Sequence, residues 1–160
     1  MLLLISVTAA SAASAQATLT AIDGSQVNLD ERTGKVLILA VGASWLPLSD
    51  KQADFANVLA KRYSGKNVTV YFISTDSVTA GSKNFASDES VKKFAFSNKL
   101  TVPVLRDSDG LVTFKKYGIE QVPSFIVVDK NGVRVGQPFG GIDPNFDITI
   151  PISRAVDKIL

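Results

Sequence analysis

Residues 35–41 read KVLILAV, an apolar run with no polar break after Lys35. A run this short, rich in Val, Ile and Leu and without alternation, predicts a strand buried on both faces. Such a strand needs partners along both edges and cover on both faces, which an α/β sandwich supplies. Residues 68–73, VTVYFI, repeat the pattern and predict a second buried strand.

The segments around these two strands alternate. Thr18–Ile22 and Gln26–Leu29 flank Asp23-Gly24-Ser25, an Asp-Gly turn that predicts an N-terminal β-hairpin. After the loop Gly42–Trp45, a helix is expected over Pro47–Arg62, with Leu48, Phe55, Val58 and Leu59 at helical spacing. Ser49 or Asp50 would cap or charge its first turn. Polar residues 74–86 predict a loop, and Ser87–Ser97 a helix with Val91, Phe94 and Ala95 on one stripe. Val102–Leu105 is expected as a short strand, Asp107–Gly110 as a turn, and Leu111–Tyr117 as a short helix stopped by Gly118. Ser124–Asp129 and Val133–Val135 predict a hairpin across Asp129–Gly132. A last helix is expected from about Pro151, with Ile152, Ala155, Val156 and Ile159 on one face. The fold class is α/β: a mixed central β-sheet flanked by helices, with an N-terminal β-hairpin.

The N-terminus carries no charged side chain from Met1 to Ile22. Leu2–Val7 is apolar and is followed by Ala, Ser, Thr and Gln, with small-x-small sites ending at Ala15 and Ala17. Residues 1–15 therefore predict a signal peptide, although no Lys or Arg precedes the apolar run. Residues 16–160 would form the one folded domain of an exported, periplasmic or secreted protein. The strongly apolar stretch falls short of the ~20 residues of a membrane span, so no integral span is expected.

Two zeros in the composition exclude most chemistry. The 160 residues include no Cys and no His. Without Cys there is no thiol nucleophile, disulfide or thiolate metal site within the chain. Without His there is no imidazole base and no Ser–His–Asp triad. Seventeen Lys and Arg against fifteen Asp and Glu leave +2, too little to argue for nucleic acid. Asp107-x-Asp109-Gly110 lacks the remaining ligands of a calcium loop. No metal and no cofactor is expected.

Four local sequences fall in a telling order: Gly34-Lys35 before the first buried strand, GASWLPLSDKQ at 42–52, VPVLRDSDGLVTFKKYGI at 102–119 and QVPSFIVVDKNGVRV at 121–135. Together they resemble the thioredoxin-like superfamily, above all its exported TlpA/ResA-type branch and next its peroxiredoxin-like (AhpC/TSA) branch. The resemblance spans about Thr18 to Gly141 and implies a thioredoxin-like fold. In that family a Trp-Cys-x-x-Cys motif opens a helix. Here Trp45-Leu46-Pro47-Leu48-Ser49 stands in its place, with Leu46 at the nucleophilic Cys and Ser49 at the resolving Cys. Leu has no ionisable atom, so thiol–disulfide exchange cannot start. Ser49 would need a base within hydrogen-bond reach to act as nucleophile, and is expected instead as a helix N-cap.

Gln121-Val122-Pro123 matches the family's cis-proline loop, whose residue before Pro offers backbone groups to an extended peptide. The same turn could serve folding alone. Trp45 either contacts a partner or covers the end of the sheet. The expected binding surface comprises Trp45, Leu46, Pro47, Leu48 and Ser49 on one side and Val122 and Pro123 on the other. The implied function is a protein- or peptide-binding module without thiol–disulfide activity. The alternative is a thiol–disulfide oxidoreductase or redoxin role in redox or cell-envelope protein maturation.

Overall fold

The structure is a computed structural model that describes residues 16–32 and 34–160. The expected signal peptide lies outside the described residues. Seven strands form one sheet: β1 (Thr18–Ala21), β2 (Gln26–Asn28), β3 (Val36–Gly42), β4 (Val68–Ser74), β5 (Val104–Arg106), β6 (Ser124–Val128) and β7 (Phe139–Gly140). Their order across the sheet is β2-β1-β5-β4-β3-β6-β7. β3, β4 and β5 run parallel, and the remaining pairings are antiparallel, so the sheet is mixed as expected. Four helices cover it: α1 (Ser49–Arg62), α2 (Asp88–Ser97), α3 (Thr113–Tyr117) and α4 (Thr149–Asp157).

β3 is buried along its whole length and paired on both edges, with Leu37 opposite Thr69 on β4 and Val128 on β6. Alternation along it feeds two cores. Val36, Ile38 and Ala40 join Phe55, Leu59, Phe72, Val91, Phe125 and Ile152 beneath α1, α2 and α4. Leu37, Leu39 and Val41 join Leu19 and Leu29 of the N-terminal segment, Ile73, Leu105, Ile126 and Tyr117 of α3 on the other face. Both faces are apolar because both are covered, which is why the run shows no period of two.

Three expectations are corrected. The first helix begins at Ser49 and not at Pro47, because Leu48 takes the cap position in the left-handed region, at φ 66°. Val133–Val135 forms no strand; a lone bridge joins Val128 to Arg134, and the edge partner of β6 is β7. Asp129 Oδ1 accepts the Asn131 and Val133 N–H groups, closing a local turn that ends the ladder early. The last helix starts two residues before Pro151, at Thr149, whose N–H and hydroxyl both donate to Asp147 Oδ1. Ser87, in contrast, caps α2 as its sequence suggests, accepting the Ser90 N–H.

Fully buried Ile38 contributes about 1.5–3 kcal/mol by burial alone. Ile38→Ala is expected to lower unfolding free energy in urea by about 2–5 kcal/mol, since close-packed neighbours cannot fill the cavity. Exposed Val133→Ala should stay within about 0.5 kcal/mol.

Candidate functional site

The expected binding residues gather at the end of the sheet where β3 stops and β6 begins. Val41 and Ser124 are register partners, so residues 43–48 leave the sheet beside the point where Val122-Pro123 enters it. The Val122–Pro123 bond is cis. A single side chain ties the two segments together. Gln52, fully buried on α1, donates from Nε2 to the Val41 carbonyl at 3.1 Å and to the Ser124 carbonyl at 2.9 Å. Those carbonyls belong to the last register pair of the β3–β6 ladder, so one side chain grips both strands at the point where they part. Gln52 Oε1 packs over Gly42, where a Cβ would collide with it and force the carboxamide to shift.

Within this frame Trp45 and Pro47 are exposed, Leu46, Leu48, Val122 and Pro123 are half-buried, and Ser49 is buried. Part of Leu48 packs inward, against the core cluster that also holds Ile142 and Ile148 from the segment before α4. Trp45, Leu46 and Pro47 therefore form the outward-facing part. Trp45 keeps 52% of its surface exposed.

Ser49 is not the expected N-cap. It is the first residue of α1, and its hydroxyl donates back to the Ala43 carbonyl. Cap geometry falls to Leu48, which has no side-chain oxygen, so no side-chain cap bond forms. Nor is Ser49 armed as a nucleophile. The Asp50 carboxylate accepts the Lys51 N–H, and the Lys51 ammonium lies 4.9 Å over the Phe55 ring. Burial pushes the Tyr117 phenol well above its ordinary range, which keeps it protonated. Among the described residues no group of three His, Cys, Asp or Glu side chains could hold a metal.

A buried polar network supports the loop from below. Asp76, fully buried, accepts the Ser44 N–H at 2.9 Å, the Ser44 hydroxyl at 2.7 Å and the Ser74 hydroxyl at 2.7 Å. Arg106 donates to Ser74 Oγ at 2.9 Å and to the Ala86 carbonyl at 2.7 Å, and its Nε lies 3.1 Å from Asp88. The network fixes Ser44, and with it the base of Trp45. Residues 74–86, expected as a loop for their polarity, also supply Ser74 and Asp76 to this network. The available signal was the run Ser74-Thr75-Asp76-Ser77 directly after an apolar strand, since polar residues at a strand end commonly satisfy loop backbone.

Comparisons with known proteins agree with this architecture. The AhpC/TSA family profile matches residues 10–134, well over half of the chain. No curated protein matches it. The fold is similar to that of a Chlorobium tepidum protein assigned as the thiol:disulfide interchange protein DsbE, with 21% identity over 89% of this chain and 91% of that one, at TM-score 0.73. It is also similar to a secreted Mycobacterium tuberculosis disulfide oxidoreductase homologous to Escherichia coli DsbE, with 20% identity, 88% and 94% coverage and TM-score 0.66. The exposed lipoprotein thioredoxin Etrx1 of Streptococcus pneumoniae aligns with 22% identity, 88% and 97% coverage and TM-score 0.69. These likenesses establish the thioredoxin-like fold.

The left-handed Leu48 gives a direct check on the loop geometry. Leu48→Gly and Leu48→Ala remove the same apolar contacts, yet at φ 66° glycine is relieved of the Cβ penalty. Glycine is expected to be the more stable of the two by about 1 kcal/mol in urea denaturation, reversing its usual disadvantage.

Proposed function

Because the chain belongs to the AhpC/TSA family yet has no cysteine, we propose that it is an exported binding protein without thiol–disulfide activity, which holds a peptide or protein segment at its former redox face. The observation that carries this reading is the state of residues 45–49. The two thiol positions hold Leu46 and a buried Ser49 whose hydroxyl is engaged by Ala43, while Trp45 and Pro47 face solvent. The face keeps an aromatic anchor and loses its nucleophile. The Val122 main chain beside it uses no side-chain chemistry, so a strand-like contact there survives the loss of cysteines. Export is supported by the uncharged N-terminal sequence and by the secreted and exposed proteins whose fold it shares.

Purified protein is expected to be inert in insulin-disulfide reduction and in peroxide consumption. Turnover that persists across independent preparations would overturn the loss of redox activity. The binding half is read separately from Trp45, the only tryptophan. Titration with extended apolar peptides should shift its emission, and Leu46→Lys should weaken the response about tenfold or more by removing an apolar contact. An unchanged spectrum throughout such a series would remove the binding reading.

A further inference from the structure

The net charge of +2 conceals an asymmetry. β3, β4 and β5 are parallel, so they share a starting end, opposite the end that carries Trp45 and the Val122–Pro123 turn. The turns leading into them carry Lys35, Lys66 and Lys99, all exposed. Hydrogen bonds join these turns into one surface. The Val36 N–H donates to the Asn67 carbonyl at 3.0 Å, the Gly34 N–H donates to the Lys130 carbonyl at 2.6 Å, and Asn57 of α1 holds the Lys99 carbonyl at 3.1 Å and the Thr101 N–H at 2.8 Å. Lys61 and Arg62, in the last turn of α1, reach the same end.

The acids at this end are few and engaged. Asp157 pairs with Arg62 at 3.2 Å and accepts from Tyr63, and Asp129 is closed into its own turn. Lys130 Nζ meets the C-terminal oxygen of Leu160. Asp23 lies near Lys92 on the flank, and Glu89 sits one turn before Lys92 and Lys93. Among the described residues no ion pair involves Lys35, Lys61, Lys66 or Lys99.

The most exposed large apolar side chain at this end is Phe96, ahead of Val133 in the Asp129 turn. Phe96, in the last turn of α2, is 86% exposed. The core claims Val91 and, in part, Phe94 and Ala95, so nothing in the packing asks for an aromatic at position 96. Lys92 and Lys93 precede it by one helical turn and Lys99 follows by three residues. An exposed aromatic beside Lys92, Lys93 and Lys99, at an end that also presents Lys35 and Lys66, is the chemistry of an anionic bilayer interface, where the ring enters the headgroup boundary and the ammonium groups meet lipid phosphates.

We propose that the starting end of β3, β4 and β5 docks on an anionic phospholipid surface through Phe96 and the surrounding lysines. The contact is peripheral, since no helix among the described residues is long and apolar enough to cross a membrane. It would turn the Trp45 face away from the lipid, leaving it open to partners. The inference uses different residues from the proposed binding face and stands apart from it.

The test is co-sedimentation with vesicles of mixed phosphatidylglycerol and phosphatidylcholine, against phosphatidylcholine alone. The full chain should bind the anionic vesicles selectively, less so as salt rises. Lys35→Gln/Lys66→Gln/Lys99→Gln should weaken binding on the order of 100-fold, at roughly fivefold per lysine, and Phe96→Ser should weaken it as well. With brominated lipid, Trp45 fluorescence should remain unquenched, whereas a Trp45→Phe/Phe96→Trp variant should be quenched on binding. Equal binding to neutral vesicles, or full binding by the triple variant or by Phe96→Ser, would overturn the proposal. So would quenching of Trp45, an unquenched Trp at position 96, or binding only to an acidic polypeptide or nucleic acid in parallel assays.

Discussion

Everything in this fold is placed by β3. Its seven residues are buried on both faces and paired on both edges, so helices must cover both sides and strands must extend the sheet in both directions. The same pairing sets the functional end. Because β6 runs antiparallel to β3, the segment entering β6 meets the segment leaving β3, and two loops distant in sequence become neighbours. The Gln52 carboxamide then fixes their separation, and Gly42 leaves the space it needs.

On this scaffold the motif positions without thiols are held by hydrogen bonds. Leu46 and Ser49 are accommodated without orphaning the loop: the Ser49 hydroxyl joins Ala43, and Asp76 holds Ser44 from beneath. A fully buried carboxylate with three donors is strongly constrained, because removing any donor leaves charge without compensation. The network explains how a loop without a disulfide can still present Trp45 in a fixed position. Membership of the AhpC/TSA family and the shared architecture of disulfide oxidoreductases describe the frame. At the motif, Leu46 and Ser49 carry no thiol.

The two ends of the sheet differ in chemistry. The end with Trp45 exposes apolar side chains over a buried polar base, and the opposite end carries lysines with few acidic partners. Parallel strands enforce this division. Every connection between them crosses the whole sheet, so the loops at one end and those at the other are separate surfaces on which side chains can diverge independently.

The sequence by itself determined the layered α/β class, the buried strands β3 and β4, the N-terminal hairpin and the absence of thiol and imidazole chemistry. Uninterrupted apolar runs and missing residue types are local facts that no tertiary context alters. Only the tertiary structure decided how the site is held. Ser49 would be an N-cap by propensity, but burial brought its hydroxyl within reach of Ala43 and left the cap position to a left-handed Leu48. Val133–Val135 would be a strand by pattern, but the Asp129 carboxylate captured its backbone donor and Phe139–Gly140 took the edge. The roles of Gln52 and Asp76 show only in the fold because their partners lie on other elements. Lysine pairs that read in sequence as separate solvent-facing pairs gather at one end only on folding, since a net charge sums over positions that folding separates in space.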